Sequence, residues 1–147
     1  MKQAKTHQVR IQIHFRDADP AGFMYFANLF SYAHDAFESF VVHAGIPWKD
    51  WFVNNQHIVP IRHAEADYFA PLFPGEYFDV ISHVESMSES TFKMHYQFWQ
   101  GTKTHASVKM AHTFVNPKDM KKAKLPDDFR ALLAPYLASP SKKEIGE

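Results

Sequence analysis

Asp17-Ala18-Asp19-Pro20-Ala21-Gly22-Phe23-Met24-Tyr25-Phe26-Ala27-Asn28 leads without a break into a stretch of helical periodicity. Two carboxylates, a Pro/Gly turn and the start of a helix stand within this one segment. Acyl-transfer chemistry needs a base or nucleophile together with N–H groups aimed at a developing oxyanion, and such a segment supplies both. Read from residue types alone, Asp19 before Pro20 is equally an Asp that caps a turn or a helix start.

Outward from this segment the period changes on each side. Downstream, Phe26, Leu29, Phe30, Ala33, Phe37, Phe40, Val41 and Ala44 fall at steps of three and four. That spacing predicts a helix from about Tyr25 to Ala44, enclosed by other structure over much of its surface and stopped by Gly45 and Ile46-Pro47. Upstream, Val9, Ile11, Ile13 and Phe15 alternate with Arg10, Gln12 and His14, the pattern of a half-buried strand.

Beyond the helix, Trp48 to Gln56 reads as a loop or short irregular helix. A long strand is expected over His57 to Phe69, with a bend or bulge near Arg62 to Glu65. After the Pro74-Gly75 turn, three alternations follow: Phe78 to Val84, Phe92 to Phe98 and Ala106 to Phe114. A short helix is expected from Asp127 to about Leu137, with Pro135 kinking or ending it, before a polar tail from Ser139. The order predicts one long helix against an antiparallel sheet of about five strands, the last four as a meander, in the α+β class. The 147 residues are expected to form a single domain, 1–147, with its core over about 9–117 and the C-terminal helix over about 127–137.

Composition narrows the function classes. The 16 Lys and Arg balance 16 Asp and Glu, so no sequence-wide cationic excess exists to drive binding to nucleic acid or an anionic membrane. No Cys is present, which excludes disulfides, thiolate catalysis and Cys-ligated metal. The ten His leave room for a charge change just below neutral pH but show no H-E-x-x-H or other metal-ligand spacing. With no P-loop or G-x-G-x-x-G either, no metal or cofactor is expected. The N-terminus lacks an apolar signal region and no run reaches the length of a membrane span, so a cytoplasmic location is expected. The 14 Phe suit either a thick core or a pocket for a flat, greasy ligand.

The Asp17 to Asn28 string resembles the signature of hotdog-fold acyl-CoA thioesterases of the 4-hydroxybenzoyl-CoA type, which read roughly D-x-D-x-x-G-x-x-Y/W-x-x-N. The resemblance extends from about Val9 to Pro117 and implies a hotdog fold, a sheet wrapped around one long helix. It implies Asp19 as the catalytic carboxylate, acting as general base on water or as nucleophile, and the backbone N–H of Phe26 as the donor that polarises the thioester carbonyl. Asp17 then orders the loop or pairs with Arg16 or another cation. Asn28 matches the motif and orients the loop or meets substrate, and Tyr25 lines the pocket or packs in the core.

His34-Asp35-Ala36-Phe37-Glu38 resembles the H-E-A-Y-E run of 1,4-dihydroxy-2-naphthoyl-CoA hydrolases, differing at Asp35 and Phe37. This implies His34 and Glu38 as substrate-binding residues, against the plainer reading of a polar helix face at a subunit boundary. Val59 to Pro71 is also similar to that subgroup, and its His63 faces the site or packs within the sheet. Coenzyme A phosphates call for cations. Arg62, Lys93, Lys103 and Lys109 are the candidates, with a neighbouring subunit as a further source. The implied activity is hydrolysis of an aromatic acyl-CoA by a homodimer or homotetramer, coenzyme A entering only as part of the substrate. Runner-up readings are a short-chain aliphatic acyl-CoA thioesterase and a non-catalytic acyl-CoA or acyl-carrier-protein binding protein.

Overall fold

The computed structural model describes residues 3–47 and 56–138. The stretch expected as a loop or irregular helix lies, apart from Gln56, outside the described residues, as does the polar tail. Strand β1 (His7–Gln12) precedes helix α1 (Leu29–His43), followed by β2 (Ile61–Tyr68), β3 (Tyr77–Met87), β4 (Thr91–Gln100), β5 (Lys103–Thr113) and helix α2 (Asp127–Leu133). The strands form one five-stranded sheet in the order β1-β3-β4-β5-β2, every pair antiparallel.

Alternation in the sequence becomes two faces of this sheet. Phe78, Val80, Ser82 and Val84 of β3 are buried, as are Phe92, Met94, Tyr96 and Phe98 of β4 and Ala106, Val108, Met110 and His112 of β5. Onto that face α1 lays Leu29, Tyr32, Ala33, Ala36, Phe37, Phe40 and Val41, a stripe at helical spacing. Each large apolar side chain so buried contributes about 1.5–3 kcal/mol. The helix ends in a Schellman motif: Gly45 N–H donates to Val42 O and Ile46 N–H to Val41 O, both at 3.1 Å. Gly45 takes φ +87°, a conformation that costs a residue without Cβ little.

Several boundaries differ from the sequence expectation. β1 ends at Gln12, and Phe15 sits in a single 3-10 turn, 87% exposed. Residues 26–28 form a 3-10 turn and the α-helix proper starts at Leu29. Phe26 is therefore exposed rather than the first core residue of α1. The helix is also less enclosed than expected, since His34, Asp35, Glu38, Val42 and His43 stand open. C-terminally, α2 stops at Leu133 and a 3-10 turn over Ala134–Tyr136 takes in Pro135.

Only β3, β4 and β5 make the expected meander. β2 lies at the far edge beside β5, away from its chain neighbour β3. Residues 69–76 bridge the roughly 14 Å, three inter-strand spacings, between the two strands, well within the reach of an extended chain of that length. The bulge expected near Arg62 is present as a register shift between Ile61 and His63. All of β2 except Ala66 is exposed. Both faces of this edge strand therefore stand open in a single chain.

Candidate active site

The long connection after β2 and the loop after β1 run along the same end of the sheet and are tied together. Gly75 N–H donates to Ile13 O at 2.8 Å, Ile13 N–H to Glu76 O at 3.0 Å, and Met24 N–H to Leu72 O at 2.8 Å. On this floor residues 18–24 fold into a tight hairpin, with Ala18 bridging Met24. Asp19 N–H donates to Phe23 O at 3.1 Å and Gly22 N–H to Asp19 O at 3.0 Å. Gly22 closes the turn at φ +91°, where a side chain would be strained. Asp19 Oδ1 accepts the Ala21 N–H at 2.8 Å, an Asx-turn. Asp19 as a whole residue is half-buried, and among the described residues Oδ2 has no hydrogen-bond partner. The turn-capping role of Asp19 is thus present, through Oδ1.

Asp17 is a hub of the same loop. Its carbonyl accepts the Tyr25 N–H at 2.8 Å and Asn28 Nδ2–H at 3.0 Å, so Asn28 orients the loop. Its Oδ2 accepts the Tyr32 hydroxyl at 2.5 Å, and Tyr32 Oη in turn accepts the His14 N–H at 2.8 Å. Among the described residues the side-chain partner of Asp17 is thus a phenol from α1 and not a cation. Burial, reinforced by the bond to Asp17, pushes the Tyr32 hydroxyl up to about 12, which keeps it a donor. Helical spacing marks Tyr32 as a core position, and its hydroxyl is the signal that it does more.

The 3-10 turn at Phe26 begins with N–H groups that have no carbonyl of the same turn to reach. Beside it lies an apolar depression of about 380 Å³, walled by Phe23, Met24 and Phe26 of the loop and by Tyr68, Phe69 and Leu72 of the connection. Asp19 and Tyr25 are not among its lining residues. Tyr25 is exposed, its ring centroid 4.9 Å from that of Phe26. Tyr68, with no role assigned from sequence, donates its hydroxyl to Phe26 O at 2.5 Å.

The remaining candidates lie elsewhere in the chain. His34 and Glu38 pair at 3.9 Å on the exposed face of α1. His63 sits at the opposite end of β2 from Tyr68. It pairs with Ala111 and lies on the outer face of the sheet, 3.4 Å from Glu65. Arg62 is the exposed residue within the bulge.

Lys93 and Lys109 are engaged on that outer face. Lys109 Nζ lies 2.5 Å from Glu85, and Lys93 Nζ lies 3.6 Å from Glu85 and 3.5 Å from Glu65. Burial raises the Glu85 pKa, but the two ammonium groups together hold it below its ordinary value. Lys103, exposed and without an ion pair among the described residues, opens β5 at the same end of the sheet as the Asp19 hairpin. Among the described residues no group of three or more His, Asp or Glu side chains gathers to hold a metal, and no helix is long and apolar enough to cross a membrane.

Residues 13–133 match the family model of the thioesterase-like superfamily. A 1,4-dihydroxy-2-naphthoyl-CoA hydrolase of Microcystis aeruginosa is 34% identical over 127 residues, 86% of this chain and 91% of that protein. The corresponding hydrolase of Crocosphaera subtropica is 34% identical over 116 residues, 77% of this chain and 85% of its own. Among solved structures, a 1,4-dihydroxy-2-naphthoyl-CoA thioesterase from Synechocystis superposes with a TM-score of 0.82 at 24% identity, over 88% of this chain and 96% of its own. A 4-hydroxybenzoyl CoA thioesterase complexed with 4-hydroxybenzoyl CoA gives 0.79 at 16%, over 88% and 99%. These structures share the hotdog arrangement of α1 against the sheet. The match begins at the loop that carries Asp19 and runs to the end of α2, so the chain belongs to the thioesterase-like superfamily.

Proposed function

We propose that this chain hydrolyses coenzyme A thioesters, with an aromatic acyl-CoA of the dihydroxynaphthoyl kind as the favoured substrate. The observation that carries the reading is the hairpin at Asp19. Asp19 has one carboxylate oxygen held by the Ala21 N–H and the other without a hydrogen-bond partner among the described residues, on a loop that leads directly into the N-terminal turn of α1. The names of the relatives support the substrate class, and the aromatic walls of the depression suit a flat acyl group.

Asp19 takes the proton of a water as it attacks the thioester carbonyl, or attacks it directly to form an anhydride that water then opens. The Phe26 N–H meets the developing oxyanion, a contribution of a few kcal/mol. Coenzyme A leaves as a thiolate, so neither a strong general acid nor a cofactor is required. Lys103 meets its phosphates, a reading supported by its exposure at the start of β5, at the same end of the sheet as Asp19. The open edge of β2, with unpaired backbone groups and exposed side chains on both faces, supports assembly as a homo-oligomer, in which His34, Glu38, His63 and Arg62 reach the site of a neighbouring copy. A cytoplasmic location completes the reading.

A thiol-release assay over aromatic and aliphatic acyl-CoAs tests it. Asp19→Asn is expected to lower kcat by about 10²–10⁴-fold with binding retained. Hydrolysis at the wild-type rate by the variant would remove Asp19 from the mechanism. Aromatic thioesters as the poorest substrates would remove the acyl preference, and binding without release from any thioester would make the chain an acyl-CoA binding protein.

A further inference from the structure

The Tyr68 hydroxyl joins two elements that the chain order keeps far apart. Strand parity sets its direction. Ala64, Ala66 and Tyr68 pair with Met110, Val108 and Ala106 of β5, whose side chains are buried beneath α1. Tyr68, the last residue of β2, therefore leans toward the helix side of the sheet. There it donates to the carbonyl of Phe26, which also accepts the Leu29 N–H inside the turn.

We infer that Tyr68 is a positioning residue for hydrolysis: its phenol fixes the Phe26–Ala27 peptide, and with it the N-terminal turn of α1 that faces the thioester carbonyl. The inference rests on the function proposed above. A carbonyl that accepts a second hydrogen bond polarises its peptide, so the Ala27 N–H becomes the better donor. Fixing that peptide also limits rotation of the adjoining Tyr25–Phe26 peptide, whose carbonyl is held by the Asn28 N–H at 3.0 Å. Oxyanion donors act through pre-organisation, and small misplacements of them are costly. Burial raises the Tyr68 hydroxyl above its ordinary value, so it stays a donor through the neutral range. The bond is not needed to hold α1, which is anchored by Leu29, Ala33, Phe37 and Phe40 in the core. Tyr68 itself is 43% exposed.

Tyr68→Phe removes the hydroxyl and keeps the ring. In the thiol-release assay on the full chain, kcat is expected to fall on the order of tenfold with KM changed by less than about twofold. Tyr68→Leu is expected to lose the same kcat and in addition to raise KM, because it removes a wall of the depression. Independently of activity, the Ala27 amide should move in the ¹H–¹⁵N spectrum of Tyr68→Phe while amides in the middle of α1 stay in place. A kcat for Tyr68→Phe within twofold of wild type, a loss expressed only in KM, or an unmoved Ala27 amide overturns the inference. So does a Leu variant whose kcat falls far below that of the Phe variant. If the wild type releases no thiol from any thioester, the functional reading fails instead, and the Ala27 amide still decides whether the phenol fixes the turn.

Discussion

Replacing His112 by Phe should flatten the acid side of the stability curve. His112 is 2% exposed and stacks on two rings, 4.7 Å from Phe92 at 5° and 4.6 Å from Phe37 at 21°. Among the described residues its Nε2 has no hydrogen-bond partner. Burial, with a smaller contribution from His34, lowers its pKa from 6.5 to about 4. The folded protein therefore keeps His112 neutral in a range where the unfolded chain takes up a proton. Stability is fully present above 6.5 and falls as pH drops, by about 1.36 kcal/mol per pH unit, until the folded value is reached. Across the whole window this is about 3 kcal/mol, a large share of a typical domain's stability.

Urea unfolding of wild type and His112→Phe at pH 7 and pH 5 reads the difference. Between those two values the wild type should lose about 2 kcal/mol more than the variant. Contributions from His7, lowered by burial and by His43, and from Glu85 are common to both proteins and cancel. The ring contacts to Phe92 and Phe37 remain in the variant, so the two should be within about 1.5 kcal/mol at pH 7. Equal losses between pH 7 and pH 5 would refute the argument that a buried neutral His112 sets the acid limb.

Two further outcomes concern the loop from Asp17 to Asn28. Tyr32→Phe leaves the His14 N–H and Asp17 Oδ2 without their shared partner. Stability measured by urea should fall by about 1–3 kcal/mol, with kcat falling as the loop loosens; unchanged stability would show that the phenol does not secure Asp17. Gly22→Ala meets no atom within 4 Å but must adopt φ +91°. It should cost about 1 kcal/mol or more in a thermal melt and lower kcat through the Asp19 turn, whereas a variant as stable and active as wild type would refute that strain argument.

Much of the fold was legible because local periodicity encodes burial. The period-2 runs of β3, β4 and β5 and the three- and four-residue steps of α1 each choose a face before any partner is known. The Asp19-Pro20-Ala21-Gly22 turn was legible for a similar reason, since Asp19, Pro20 and Gly22 each favour a turn by their own backbone or side-chain chemistry. Boundaries were less so. Phe15 continues the alternation of β1 but falls past the last paired residue, and an apolar side chain alone does not keep a strand going once its neighbour has ended.

Pairings between distant residues were not legible. Nothing local sends β2 past β3 to the edge beside β5; the connection is simply long enough to allow it, and the packing of the whole sheet decides. Lys93 and Lys109 read as free cations until the register set them against Glu85. The hydroxyls of Tyr32 and Tyr68 meet Asp17 and Phe26 only through the fold. Local sequence specifies the elements, their buried faces and the turn that presents Asp19, because these depend on neighbours within a few residues. Which strand forms the open edge, which cations are already paired and which phenols hold the loop follow from the folded chain, because a hydrogen bond or ion pair depends on distances that sequence separation does not set.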